Sequence, residues 1–152
     1  MTRRVLPIGL LLLAATSALA ACGEDKEENF KKEFRPLNGK IVDLGRDVGA
    51  AVTGASGKAD RQIKQEFGGL ARRTETLRKQ VDELEPPDDV EDRKQGLVEA
   101  MGDARDALRE IERAAGESDP PAARRATIKL VAASDDLRAQ RRSLARATGA
   151  SQ

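Results

Sequence analysis

The sequence predicts an all-α protein, an antiparallel up-down-up-down four-helix bundle that follows a cleaved signal peptide. Aromatic residues make up 2% of the chain and charged residues 35%, a composition that favours amphipathic helices over the strands of a sandwich or barrel. The 152 residues are enough for one domain. Turn-forming stretches at 54–58, 85–89 and 116–121 divide the chain after its apolar N-terminus into four segments of similar length.

The N-terminus has the composition of an export signal. Arg3 and Arg4 precede an apolar run, residues 5–21, that is rich in Leu and Ala and ends in small residues. The run contains Pro7 and Gly9 and is slightly shorter than the ~20 apolar residues of a typical spanning helix. Cleavage is therefore favoured over permanent insertion.

Four residues at the end of this run, Leu19, Ala20, Ala21 and Cys22, stand in the order Leu, small, small, Cys. They resemble the lipobox of bacterial lipoprotein signal peptides, and the resemblance covers the first 22 residues. It implies cleavage after Ala21, a diacylglyceryl group on the sulfur of Cys22, and attachment to the extracytoplasmic face of the cell membrane. The alternative is an ordinary secretory peptide followed by an unrelated cysteine. Cys22 is the only cysteine, so it has no partner for an internal disulfide.

These observations divide the chain into four parts. Residues 1–21 are the predicted signal peptide, and residues 22–29 are the lipidated cysteine with a short acidic tether. Residues 30–148 form the predicted bundle, and residues 149–152 form a tail. Two or three acyl chains on Cys22 would make a stable anchor, whereas one chain binds only marginally.

Apolar residues recur at alternating spacings of three and four in the first two segments, as in the buried seam of a packed helix. The first seam is Phe30, Phe34, Leu37, Ile41, Leu44, Val48 and Ala51. The second is Ile63, Phe67, Leu70, Thr74, Leu77, Val81 and Leu84.

The third and fourth segments are also amphipathic, although the fourth is broader and weaker. The third seam is Leu97, Met101, Ala104, Leu108, Ile111 and Ala115, preceded by Val90, with Lys94 between them. The fourth contains Ile128, Leu130, Val131, Leu137 and Leu144, together with Ser134 and Arg141. An elongated three-helix bundle and a helical hairpin array are the alternative architectures.

Local signals agree with this division. Asp88 with Glu91 resembles a capping box, and Asp119 before Pro120 is a predicted N-cap. Gly68 and Gly69 predict a kink or a close helix crossing in the second helix. Glycines 45 and 49 either provide a small face for close approach or are simply tolerated at an exposed surface.

Charge is distributed unevenly over the last two helices. Residues 86–119 contain eleven acidic and five basic side chains, whereas residues 120–152 contain two acidic and seven basic ones. This difference predicts attraction between the third and fourth helices. The topology also returns Arg138, Arg141, Arg142 and Arg146 toward the anchored end, where they would contact anionic headgroups or neutralise the nearby acidic segments.

Several classes of function are disfavoured. Loss of residues 1–21 leaves 25 basic and 26 acidic side chains, which argues against nucleic-acid binding. The chain contains no His, and hence no catalytic triad of the Ser-His-Asp type. We expect no cofactor and no metal, and the stretch GASGKA at 54–59 is a helix-to-helix turn rather than a phosphate loop because Val52 and Ala59 replace the required residue types. The sequence predicts that the protein is not an enzyme.

The stretch LEPPDDVEDRKQGLVEAM at 84–101 resembles the hinge of small helical lipoproteins of actinobacteria. The resemblance covers about half of the chain and implies a helical architecture and a cell-envelope location, without an activity. We therefore expect a helical interaction or scaffold module that recruits an envelope protein or wall polymer. The alternative is a bundle that binds or senses a small apolar ligand.

Overall fold

The computed structural model describes residues 21–150, with side chains from Asp25 onward. Four helices make up the fold: α1 (Ala21–Thr53), α2 (Asp60–Asp82), α3 (Glu91–Gly116) and α4 (Pro120–Ala147). Consecutive helices pack against one another, and α1 also contacts α4, which closes the bundle. The predicted all-α four-helix bundle is confirmed, and both alternative architectures are excluded. Within residues 21–150, none of the helices combines the length and apolar content that a membrane span needs.

The seams predicted for the first three helices form the core. Every seam residue of α1 from Phe30 to Ala51 is buried. In the second seam the five central residues are buried, whereas Ile63 near the start of α2 and Leu84 just beyond its end pack partly against the core. All six seam residues of α3 are buried, as is Val90 before it.

The seam predicted for α4 is partly wrong. Ile128 and Val131 are 71% and 52% exposed, whereas Leu130 is buried. Successive residues of a helix are separated by about 100°, so Ile128 lies roughly opposite Leu130. The buried stripe of α4 consists of Ala126, Leu130, Leu137, Leu144 and Ala145.

Side-chain size determines how closely the helices approach. The buried face of α3 contains five alanines, namely Ala100, Ala104, Ala107, Ala114 and Ala115, and α3 lies close to both α2 and α4. A Cβ atom at Gly68 of α2 would lie 2.8 Å from the carboxyl carbon of Glu112, so the end of that side chain occupies the space beside Gly68. The larger Phe, Leu and Ile side chains of α1 face the core, and α1 approaches α4 only sparsely.

The predicted caps have different outcomes. The Asp119 carboxylate accepts a hydrogen bond from the backbone N–H of Ala122 at 2.9 Å, and Pro120 begins α4, which confirms this cap. The predicted box at Asp88 is wrong, because Asp88–Val90 forms a separate 3-10 turn whose own cap residue is Pro87. The Pro86-Pro87 pair keeps the chain extended there and delays the start of α3.

Lys94 interrupts the predicted apolar seam for a structural reason. Its Nζ atom donates to the carbonyl oxygens of Asp82 at 2.8 Å and Leu84 at 3.1 Å. Carbonyl groups at the C-terminus of a helix lack intrahelical donors. Lys94 therefore caps the end of α2 from the beginning of α3.

Both ends of the described region have regular backbone structure. Helix α1 already begins at Ala21, and its acidic first turns agree with the sign of the helix dipole. At the other end, Gly149 adopts φ +61° and the N–H of Ala150 donates to the carbonyl of Ala145 at 2.9 Å, a Schellman-type ending. Ala150 is buried against the bundle.

Candidate functional site

The sparse contact between α1 and α4 leaves an apolar cleft. Its cavity volume is about 270 Å³, just below the range for small-molecule sites, ~300–1,000 Å³. The wall is formed mainly by Ile41, Leu44, Val48, Leu108, Leu130 and Leu137. We call this feature the α1/α4 cleft.

The polar groups of the α1/α4 cleft lie mainly at its rim. Arg46 of α1 and Arg138 and Arg141 of α4 line the opening. Thr74 of α2 also borders the cavity, but its hydroxyl already donates to the carbonyl of Leu70 at 2.9 Å. The cleft thus combines an apolar interior with a positively charged mouth.

Arg141 is the most constrained of the rim arginines. Its Nη1 atom donates to Oδ1 of Asn38 at 2.9 Å, and Asn38 in turn donates through Nδ2 to the carbonyl of Ala150 at 3.3 Å. Asn38 is only 2% exposed. Burial lowers the pKa of Arg141, and the neighbouring charge of Arg142 lowers it further.

The other predicted arginines do not form one cluster. Arg138 pairs with Asp135 on its own helix at 3.2 Å. Arg142 and Arg146 are exposed near the C-terminus of α4. Across residues 25–150, no ion pair joins any of these arginines to the acidic segments at 25–28 and 85–92.

The structure describes two of the four lipobox residues. Leu19 and Ala20 are outside the described residues. Ala21 and Cys22 belong to the first turn of α1. Lys31 of α1 approaches the chain at Gly149, so the beginning of α1 and the end of α4 are at the same end of the bundle.

A second hollow, of about 450 Å³, lies between α1 and α2. It is larger than the α1/α4 cleft but more open and polar, and Lys40, Arg72 and Arg73 are among its lining residues. Arg73 already pairs with Asp47 across the two helices at 2.7 Å. A small apolar ligand would be enclosed better by the α1/α4 cleft.

One charged cluster contains a carboxyl group whose pKa is strongly lowered. The Glu75 carboxylate accepts hydrogen bonds from Arg78 at 3.0 Å and from Arg105 of α3 at 2.9 Å. These bonds, Arg78 first, lower the pKa of Glu75 to about 2. A carboxyl group that stays ionised in this way links α2 to α3 and is poorly suited to general acid catalysis.

The attraction expected between α3 and α4 is represented by one ion pair in the described region, Lys129 with Glu110 at 2.8 Å. No group of three or more acidic or cysteine side chains in that region is arranged to hold a metal ion.

Comparisons with protein-family models, curated proteins and solved structures find no match to this chain.

The sequence did not single out Asn38 or the cleft. Asn38 follows Phe34 by four positions and precedes Ile41 by three, so helical spacing places it beside the buried seam. That spacing was an available signal for a buried polar residue. The cleft had no comparable signal, because it depends on the distance between two helices.

Proposed function

We propose that this protein is a lipid-anchored binding protein on the extracytoplasmic face of the cell membrane, without enzymatic activity, and that it holds a small apolar or amphipathic ligand in the α1/α4 cleft. The observation that carries the proposal is the cavity of about 270 Å³ behind a positively charged rim. Sequence alone favours an interaction module, and the cavity is the reason for preferring the ligand-binding alternative.

The anchor in this proposal is the lipid on Cys22. The lipobox-like order of Leu19, Ala20, Ala21 and Cys22 supports it. Exposed Arg142 and Arg146 are near the end of α4, at the end of the bundle where α1 begins. In this orientation both arginines would face anionic headgroups, at about 1 kcal/mol for each favourable charge.

Acyl labelling tests the anchor. Cells that express the full chain are fed an alkyne-tagged fatty acid, and the wild type is compared with Cys22→Ala. We expect label only on the wild type, and release of processed Cys22→Ala from the membrane. Label that persisted on Cys22→Ala would reject the assigned attachment point.

A matched glycine pair tests the cleft. Gly45 lines the α1/α4 cleft and Gly49 does not, yet a Cβ atom at either position meets nothing within 4 Å. A photoreactive diazirine analogue of decanol, added to isolated membranes that contain the full chain, should label residues of α1 and α4 around the cleft. Gly45→Leu should fill the cavity and remove this labelling, whereas Gly49→Leu should preserve it. Equal labelling of the two variants would contradict the proposed site.

An interaction module is the second candidate, and the exposed apolar side chains of Ile128 and Val131 favour it. Both are on α4, outside the core. If this surface binds an envelope protein or wall polymer, Ile128→Ser with Val131→Ser should remove crosslinks to that partner in native membranes. Gly45→Leu should leave the same crosslinks unchanged, which separates the two candidates.

A further inference from the structure

Among residues 25–150, the rim of the α1/α4 cleft carries one positive charge without a carboxylate partner. Arg46 pairs with Asp43 at 3.1 Å and Arg138 pairs with Asp135 at 3.2 Å. Arg141 forms no ion pair with a side chain in the described region, and its hydrogen-bond acceptor is the neutral amide oxygen of Asn38. The uncompensated charge is therefore located at one rim position.

That position is unfavourable for an unpaired cation. Arg141 is partly buried, and burial together with the charge of Arg142 lowers its pKa. A desolvated charge is stabilised when an opposite charge with good hydrogen-bond geometry approaches it. An anionic group at the cleft mouth would supply that partner.

The free N–H donors of Arg141 and its single charge favour a ligand that carries one negative charge. A guanidinium has five N–H donors, and the bond from Nη1 to Asn38 uses one of them. The remaining donors suit a carboxylate, which guanidinium groups bind through two parallel hydrogen bonds. A doubly charged phosphate monoester would exceed the one uncompensated positive charge of the rim.

The apolar part of the cleft extends away from Arg141. Leu137 and Leu130 precede it on α4, and Leu130 is separated from Arg141 by eleven positions, or roughly 16 Å of helix. Leu44 and Val48 of α1 line the cleft from the opposite side. This shape fits an extended alkyl chain with its charged end at the rim.

We propose that the α1/α4 cleft binds a single-chain fatty acid, with its carboxylate on the guanidinium of Arg141 and its alkyl chain directed toward Leu130. The inference rests on the proposed function, because it identifies the class of ligand that the same cleft takes. The single negative charge of a fatty acid matches the unpaired positive charge of the rim, and its alkyl chain matches the apolar wall of the cleft.

The test uses a diazirine analogue of decanoic acid beside the decanol analogue, with the full chain in isolated membranes. The two probes have the same alkyl chain and differ in the headgroup. Labelled peptides are identified by mass spectrometry and quantified for the wild type, Arg141→Gln, Arg142→Gln and Gly45→Leu. Arg142 is the matched control, since it is an exposed arginine of the same helix that does not line the cleft.

We expect Arg141→Gln to reduce labelling by the acid about tenfold, the loss typical of a charge-assisted hydrogen bond. Labelling by the alcohol should stay within about twofold of wild type, which shows that the cleft of this variant is intact. Arg142→Gln should change neither probe, and Gly45→Leu should remove both.

Two results would overturn the inference. If both probes label the wild-type cleft equally and Arg141→Gln changes neither, the cleft binds apolar chains without recognising the carboxylate, and the proposed function survives alone. If neither probe labels the cleft above the level seen in Gly45→Leu, both the inference and the proposed function are rejected.

Discussion

Arg141 of α4 donates to Oδ1 of Asn38 of α1 at 2.9 Å, and this bond joins the two most sparsely packed neighbours of the bundle at the mouth of their cleft. The Nδ2 atom of Asn38 donates at the same time to the carbonyl of Ala150. One buried amide therefore fixes the rim arginine and the chain that follows α4.

Replacing Asn38 with Ala should destabilise the protein by about 1–3 kcal/mol, because the carbonyl of Ala150 would lose its side-chain donor and a partly buried arginine would lose its acceptor. Urea denaturation followed by circular dichroism measures the change. Asn29→Ala, at an exposed position of the same helix, is the control and should change stability by less than about 0.5 kcal/mol. Equal stability of the two variants would show that the Asn38 bonds contribute nothing.

Sequence patterning predicted the core of α1, α2 and α3 because one set of apolar positions dominates each helix. In α4 three neighbouring apolar residues, Ile128, Leu130 and Val131, support two different faces, and sequence spacing does not choose between them. The choice is made by tertiary packing, which buries Leu130 together with Ala126 and Ala145 and leaves Ile128 and Val131 exposed. The cleft depends on the same balance of large and small side chains and was therefore not predicted.

Glycine substitutions separate helix propensity from backbone strain. Gly45→Ala and Gly49→Ala should each stabilise the protein by about 0.5–1 kcal/mol, because both residues are inside α1 and an added Cβ has open space. Gly57→Ala should destabilise it by about 1 kcal/mol, because Gly57 has φ +90° in the turn between α1 and α2. Urea denaturation midpoints of the three variants test the opposite signs.

The ion pairs of Glu75 with Arg78 and Arg105 predict that the free energy of unfolding depends on pH. The pKa of Glu75 is lowered to about 2 in the folded protein, whereas an unfolded glutamate titrates near pH 4.3. The contribution of ionised Glu75 to stability is therefore complete above about pH 5 and is lost as the pH falls from there toward 2.

We expect the wild type to lose about 1 kcal/mol more stability than Glu75→Gln between about pH 5 and pH 3, a value reduced for solvent screening because the Glu75 side chain is 22% exposed. Denaturation curves at several pH values measure this difference. Glu33→Gln, at an exposed position of α1, should follow the wild-type profile. Parallel profiles for the wild type and Glu75→Gln would contradict the role of the cluster.

Two aspartates that the sequence marked as caps should respond differently to replacement by Ala. The carboxylate of Asp119 accepts from the N–H of Ala122 at the start of α4, whereas Asp88 is in the 3-10 turn, where the cap residue makes no side-chain hydrogen bond. Loss of a helix N-cap removes the partner of one orphan N–H and costs about 1 kcal/mol. Asp119→Ala should therefore lower the free energy of unfolding by about that amount, and Asp88→Ala should change it by less than about 0.5 kcal/mol. Urea denaturation of both variants compares two acid-to-alanine changes at helix starts, and an equal loss would mean that charge near the helix N-terminus, rather than the cap bond, determines the effect.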